Sequence, residues 1–271
     1  MIEDTVRPPR QIPRRLRRGA YLLPSLFTIG NMLLGFYAIV IGLRKEPDFR
    51  LAAWLVFIAA FVDTLDGRIA RMTGTESEFG KEYDSLADVV TFGAAPALLT
   101  YLWGLRPFDS DAWLIPLFYM VCAATRLARF NVQTKVTDSR YFVGLPVPAA
   151  AGTICSILFF APDNQTGSDA LQVWMQVLVA TALLLIGVLM VSTFRYYSFK
   201  KLDLRKRWSF RALIPIAAVV LVIYYIPHAF FLVFAVVYTL SGPASWLISR
   251  LRGGNRPEES PPPPPVPEMG P

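Results

Sequence analysis

The chain has few of the residues that stabilise soluble domains or bind zinc. Of its 271 residues only 17% are charged, two are cysteine and one is histidine. Such a low charged fraction, beside 54% hydrophobic residues, excludes an ordinary soluble domain of this size. Cys122 and Cys155 lie in apolar stretches without a CxxC pattern or a nearby histidine. We therefore expect two small buried thiols and neither a disulfide nor a zinc site.

Apolar stretches long enough to cross a membrane are abundant. About 20 residues span a hydrocarbon core of roughly 30 Å at about 1.5 Å per residue. Eight such stretches are predicted, and six spans are the alternative. Pro227 and His228 leave only a tight turn between the last two stretches, so these two could form one re-entrant hairpin. The stretches cover residues 21–43, 51–71, 85–104, 112–130, 141–161, 171–194, 211–226 and 229–249. The predicted fold is an all-α, polytopic bundle embedded in the lipid bilayer.

Basic residues are unevenly distributed between the connections of these spans. With eight crossings, all but four of the 27 lysines and arginines fall on one side. The four exceptions are Arg44, Lys45, Arg50 and Arg106. Since positively charged short loops stay in the cytoplasm, we expect both termini on the cytoplasmic side of the inner membrane. No nucleic-acid partner is expected.

Four aspartates lie at the borders of two neighbouring spans. Asp63 and Asp66 are spaced i, i+3 near the inner end of the second span, and Asp84 and Asp88 are spaced i, i+4 at the start of the third. Each pair therefore shares one helix face, and a short polar connection makes the two helices neighbours. Four carboxylates in a low-dielectric setting repel one another unless cations neutralise them. Oxygen ligands favour Mg²⁺ or Mn²⁺, and we predict a site at these four aspartates for two ions roughly 3.5 to 4 Å apart.

Small and basic residues follow the first pair of aspartates. Gly67 and Ala70 would let a bulky ligand approach the helix backbone, and Arg71 adds a cation suited to phosphate. Helix packing is the alternative explanation for the glycine and the alanine.

A second basic group lies at the inner end of the fourth span. Arg126 and Arg129 are spaced i, i+3, and Asn131 lies just beyond them. A guanidinium fork suits a donor phosphate or an acceptor carboxylate, although both arginines could instead be interfacial anchors. Downstream, Gly144, Pro146 and Pro148 predict an irregular start of the fifth span.

The spacing from Asp63 to Asp88, D-x2-D-G-x2-A-R-x8-G-x3-D-x3-D, resembles the signature of the CDP-alcohol phosphotransferase family at every fixed position. The resemblance implies an enzyme that displaces CMP from a CDP-linked donor with an alcohol. It also implies a homodimer with six core transmembrane helices. By the same resemblance Asp63, Asp66 and Asp84 would ligate metal, and Asp88 would be both a metal ligand and the catalytic general base. The residues that it places at the CDP site are Thr28, Asn31, Gly67, Ala70 and Arg71.

Three further segments resemble the bacterial and archaeal branch of that family that acts on serine. They are LPSLFTIGNMLLGFYAI at 23–39, TRLARFNV at 125–132 and YFVGLPVPAAAG at 141–152, and the similarity spans roughly residues 20–200. It implies CDP-diacylglycerol and L-serine as substrates. Glycerol 3-phosphate, inositol phosphate and choline stay open as acceptors, because the aspartate motif handles only the shared donor. A cation transporter is the alternative from another class, although transport sites usually lie near the midplane between repeated halves.

Four regions result from these predictions. A basic cytoplasmic segment covers 1–20, and the family core of six spans covers 21–200. Two additional spans lie within 201–252, and a proline-rich tail, expected to be extended and disordered, covers 253–271. The first span is expected to be retained, because it is too long for a cleavable signal peptide and has no small-residue cleavage pattern.

Overall fold

A computed structural model describes residues 14–73, 77–106, 111–133, 141–161, 170–197 and 213–251. Helices dominate these ranges, in agreement with the predicted all-α fold class. The α-helices of the described residues are α1 (Arg14–Gly42), α2 (Phe49–Thr73), α3 (Glu78–Asp88), α4 (Ala95–Thr100), α5 (Leu114–Gln133), α6 (Val147–Phe160), α7 (Ala170–Val191), α8 (Leu213–Tyr225) and α9 (Pro227–Leu251).

Three helical stretches of the described chain are long and apolar enough to cross a membrane. They are Glu78–Leu105, Val173–Val191 and Pro227–Leu251, and shorter apolar helices cover Leu26–Gly42 and Val147–Phe160. Many large apolar side chains on these helices point outward, which suits a surface facing lipid. Together these features indicate a polytopic membrane protein.

The helix from Glu78 to Leu105 is continuous but adopts π-helical winding in two segments. Ser77 caps its start, with its Oγ accepting a hydrogen bond from the Gly80 amide at 3.0 Å. Two π-helical segments, Val89–Ala94 and Tyr101–Leu105, flank α4. A π-helical segment shifts the register of the side chains that follow it, and such segments are often found at functional sites.

The fifth predicted span begins later than the sequence suggested. Residues 141–143 form a short strand, β1 (Tyr141–Val143), which pairs antiparallel with β2 (Arg195–Tyr197), and α6 starts only at Val147. Gly144 explains the break: its φ is 78°, and a Cβ atom there would collide with the Met190 carbonyl oxygen. The irregular start predicted from Gly144 and the nearby prolines is therefore confirmed, whereas a helix over 141–146 is wrong.

The connection between the last two spans is shorter than predicted. Only Ile226 separates α8 from α9, so Pro227 and His228 lie in the first turn of α9 and not in the turn between the helices. Proline fits there because the first helical residues need no amide donor. The 13 described residues of α8 extend about 20 Å along the helix axis.

The core lies where small residues let helices approach closely. Ala38 of α1 and Ala52, Ala53 and Ala59 of α2 are fully buried. A Cβ atom at Gly35 would lie 2.6 Å from the Cα of Thr91, so only glycine permits this approach of α1 to the first π-helical segment. Cys122 and Cys155 are buried and free, as predicted. This packing brings α1, α2 and α3 together at one site.

Candidate active site

Three of the four signature aspartates converge between α2 and α3. Asp63 comes from α2, Asp84 and Asp88 come from α3, and one carboxylate oxygen of each lies within 4.8 Å of the other two. Asp63 and Asp84 are half-buried, and Asp88 is buried. Asp66 belongs to α2, but its side chain lies outside the described part of the structure.

The residues present fit a divalent cation. The Oδ1 atom of Asp84 is buried and accepts no hydrogen bond from any residue that the structure describes. A buried carboxylate oxygen without a donor is costly, and two further carboxylates nearby add repulsion. A divalent cation removes both costs, and ionised carboxylates are the oxygen ligands that Mg²⁺ and Mn²⁺ prefer.

Asn31 of α1 holds one of these carboxylates. Its side chain is fully buried, and its Nδ2 atom donates a hydrogen bond to Asp88 Oδ1 at 3.4 Å. The Asn31 carbonyl in turn accepts a hydrogen bond from Thr91 Oγ1 at 3.1 Å. The structure thus places Asn31 against Asp88, whereas the resemblance placed it in the CDP site. Thr28, also buried, lies one turn earlier on α1.

The first π-helical segment begins directly after Asp88. Its wider winding frees backbone groups, and the Phe92 carbonyl accepts a hydrogen bond from the Tyr119 hydroxyl at 3.0 Å. Thr91, which bonds to the backbone of Asn31, belongs to the same segment. The segment therefore links Asp88 to α1 and to α5. No propensity in the sequence VVTFGA indicates this winding.

The two arginines of α5 have different surroundings. Arg126 is buried, and the negative charge of Asp88 stabilises the positive charge of its guanidinium. Its Nε donates no hydrogen bond to the described residues. Arg129 instead donates from Nη1 to the Val191 carbonyl at 3.3 Å, at the end of α7. Of the two arginines, Arg126 is thus the buried one and Arg129 is bonded to the end of α7, although both share one helix face.

Asn131 connects α5 to α3. Its Nδ2 atom donates to Glu82 Oε2 at 3.1 Å and to Ser85 Oγ at 3.0 Å. Ser85 follows Asp84 directly, so this contact fixes the turn of α3 that carries a candidate ligand. Asn131 was predicted as a ligand-binding residue, whereas no motif in the sequence indicated Ser85 or Glu82.

Three of the five predicted CDP-binding residues, Gly67, Ala70 and Arg71, belong to the last turns of α2. Gly67 is half-buried, one turn after Asp63. Ala70 and Arg71 belong to the same helix, but their side chains lie outside the described part of the structure. On the neighbouring surface of α1, an apolar groove of about 590 Å³ extends along the helix, lined by residues that include Phe27, Gly30 and Val62. Val62, which lines this groove, directly precedes Asp63 in the chain.

The chain is similar to known proteins over most of its length. The family model described as CDP-alcohol phosphatidyltransferase matches residues 21–186. A CDP-diacylglycerol--serine O-phosphatidyltransferase of Helicobacter pylori J99 is 37% identical over 84% of this chain and 92% of its own length.

Proteins of the same name from more distant organisms are also similar. That of Methanocaldococcus jannaschii is 33% identical, over 87% of this chain and 98% of its own length. That of Bacillus subtilis is 33% identical, over 66% of this chain and 92% of its own length. The chain belongs to the CDP-alcohol phosphatidyltransferase family, a family of transferases that generally use a divalent metal.

Proposed function

We propose that the protein transfers the phosphatidyl group of CDP-diacylglycerol to the hydroxyl of L-serine, giving phosphatidylserine and CMP. The observation that carries the proposal is the convergence of three buried or half-buried carboxylates, one with an unpartnered oxygen, at the border of two apolar helices. The names of the relatives support the donor and the acceptor.

The donor fits the border between the aspartates and the apolar groove. Acyl chains would lie in the groove along α1, and the diphosphate would reach the carboxylates next to Val62. Asp63, Asp66, Asp84 and Asp88 would hold Mg²⁺ or Mn²⁺, in two sites, and the bound metal would neutralise the diphosphate and stabilise the departing CMP. Thr28, Gly67, Ala70 and Arg71 would line the nucleotide side.

The acceptor needs a base and a counterion. Asp88 would take the proton of the serine hydroxyl. At the same time the serine oxygen would form a bond to the phosphatidyl phosphorus, and the bond from that phosphorus to the CMP oxygen would break. Asn31 holds the carboxylate in place for this step. Arg126, buried beside Asp88, would bind the donor phosphate or the serine carboxylate. Arg129 and Asn131, which bond to α7 and to α3, would support this wall of the site.

The same proposal includes location and assembly. The distribution of basic residues favours the inner membrane with both termini and the active site on the cytoplasmic side, where CDP-linked donors and serine are available. A homodimer, with the core at 21–200 and two further helices at 201–252, is the expected form.

One assay separates the candidate functions. Purified protein in detergent receives CDP-diacylglycerol, Mg²⁺ or Mn²⁺ and, in separate reactions, serine, glycerol 3-phosphate, inositol phosphate or choline, while CMP release is followed. We expect release with serine and none in the presence of EDTA. Release with another alcohol alone would contradict the acceptor, and no release with any of them would contradict the enzymatic function and favour the transporter alternative.

A further inference from the structure

The helix that carries two of the aspartates has a proline in its interior. Pro96 is buried on α4, within the continuous helix Glu78–Leu105. In α-helical winding its amide would donate to the Phe92 carbonyl, four residues earlier, but proline has no N–H and its ring crowds that carbonyl. A helix can respond to a proline with a kink, a break or a wider turn. The structure shows the wider turn, in which the Ala95 amide donates to the Val90 carbonyl, five residues earlier.

A second helix supplies the donor that the proline lacks. Tyr119 of α5 is fully buried, and its hydroxyl donates a hydrogen bond to the Phe92 carbonyl at 3.0 Å. An unpaired backbone carbonyl is costly inside a membrane, so this bond stabilises the wider turn. One turn later on α5, Ala123 packs against the same segment, since a Cβ atom at Gly93 would lie 3.6 Å from the Cβ of Ala123. The first π-helical segment is therefore held by two neighbouring residues on one face of α5.

Contacts with α1 hold the same segment at a different residue. The Thr91 hydroxyl donates to the Asn31 carbonyl at 3.1 Å, and Gly35 leaves room for the Thr91 backbone. The segment cannot rotate as a whole without loss of these contacts and of the bond from Tyr119. The orientation of Asp88, which directly precedes the segment, therefore depends on how the segment itself is wound.

The winding sets the rotation of both aspartates of α3 relative to α4. Nearly all residues of α4 are buried, which fixes the part of the helix that follows the segment. Each π-type hydrogen bond encloses one residue more than an α-type bond, and one residue of an α-helix corresponds to a rotation of about 100°. A return to α-helical winding would therefore turn Asp84 and Asp88 away from Asp63, with which they now converge to within 4.8 Å.

We propose that Tyr119 is a positioning residue: its hydroxyl holds the π-helical winding and so sets the rotation of Asp84 and Asp88 for metal binding. The inference rests on the proposed function, because it takes the aspartates as ligands of Mg²⁺ or Mn²⁺. Tyr119 acts through the Phe92 carbonyl and needs no contact with the metal or the substrate.

The test compares Tyr119→Phe with a matched control, Tyr196→Phe, in the whole chain in detergent. Both tyrosines are fully buried, and each hydroxyl donates to a helix carbonyl at 3.0 Å, that of Phe92 for Tyr119 and that of Thr239 on α9 for Tyr196. Binding of Mn²⁺ is measured without substrate, from the fall of the free-ion signal in electron paramagnetic resonance, and the melting temperature is measured on the same samples. We expect both variants to melt below wild type by similar amounts, because each loses one buried hydrogen bond. Only Tyr119→Phe should weaken Mn²⁺ binding, by about tenfold, as the loss of an outer partner of metal ligands does.

A second variant, Pro96→Ala, keeps the Tyr119 hydroxyl and changes the winding directly. Alanine gives the Phe92 carbonyl an amide donor on its own helix, which favours α-helical winding. We expect Mn²⁺ binding to weaken by about tenfold without a matching fall in melting temperature. A merely structural role of the segment would not separate these two measurements.

Two results would overturn the proposal. One is a Mn²⁺ affinity of Tyr119→Phe within twofold of wild type, and the other is an equal loss of affinity in Tyr119→Phe and Tyr196→Phe. If Tyr119→Phe is not recovered in folded form, Pro96→Ala decides, and an affinity within twofold of wild type in that variant overturns the proposal.

A failure of the proposed function would look different. If wild type bound Mn²⁺ but released no CMP with serine, the acceptor would be wrong, while the Mn²⁺ titrations would still decide the role of Tyr119. If wild type bound no Mn²⁺, the inference would be overturned whatever the CMP assay gives.

Discussion

Replacing Asn31 by alanine tests whether the orientation of Asp88 limits the reaction. The hydrogen bond from Asn31 Nδ2 to Asp88 Oδ1 is 3.4 Å long, beyond the usual range of about 2.7 to 3.2 Å for such bonds. Bonds to charged groups contribute about 1.5 to 3 kcal/mol, and the length places this one at the lower end. A loss of about 1.5 kcal/mol corresponds to about a tenfold fall in kcat, since each 1.36 kcal/mol is a factor of ten.

Stability should change less than activity in this variant. The Asn31 Oδ1 atom is buried and has no hydrogen-bond partner among the described residues, so alanine removes an unsatisfied acceptor while leaving a small cavity. Steady-state CMP release gives kcat, and a thermal melt in detergent gives stability. The matched control is Ser156→Ala, because Ser156 is equally buried but bonds only to the Gly152 carbonyl of its own helix. A kcat for Asn31→Ala within twofold of wild type, or a fall equal to that of the control, would refute the positioning role.

Three further results are expected. Asp84→Asn should raise the Mg²⁺ or Mn²⁺ concentration for half-maximal turnover at least tenfold, since a neutral amide replaces a proposed ligand whose Oδ1 atom has no hydrogen-bond partner among the described residues. An unchanged metal titration would remove Asp84 from the proposed ligand set. Gly35→Ala should lower the free energy of unfolding by about 1 to 3 kcal/mol, measured by chemical or thermal unfolding, because its Cβ atom would collide with Thr91. The control is Gly30→Ala, which should melt as wild type does because nothing lies within 4 Å of a Cβ atom there. Equal melting temperatures for the two variants would contradict the close approach of α1 to Thr91. Gly144→Ala should lower the melting temperature and the folded yield, because its φ is +78° and the Met190 carbonyl oxygen occupies the place of a Cβ atom. A melting temperature equal to that of wild type would contradict this backbone conformation at Gly144.

The sequence predicted the fold class and the location of the candidate site. Membrane-length apolar stretches and a small charged fraction indicate helices in a bilayer. In lipid every backbone N–H and C=O group needs a hydrogen-bond partner within the protein, and a helix of this length supplies these partners itself. The i, i+3 and i, i+4 spacings put the aspartates on shared faces, and the structure brings Asp63, Asp84 and Asp88 together. These features are local, since they depend on helical periodicity and on one short connection.

The partners of these residues depend on contacts between helices that are distant in the chain. Periodicity places Arg126 and Arg129 on one face, yet only tertiary packing buries Arg126 and gives Arg129 a carbonyl partner at the end of α7. Asn31 meets Asp88 across 57 residues because Gly35 lets α1 approach closely.

The sequence predicted an irregular start of α6 from Gly144 and the nearby prolines, but it predicted neither the strand there nor the π-helical winding after Asp88. The π-helical winding after Asp88 and the strand before α6 arise where tertiary contacts outweigh local helix propensity. The sequence by itself determined which residues carry charge into the membrane and on which helix faces they lie, because periodicity is a property of a single helix. The tertiary structure decided which of those charges share a site and what holds them, because that depends on how closely separate helices pack.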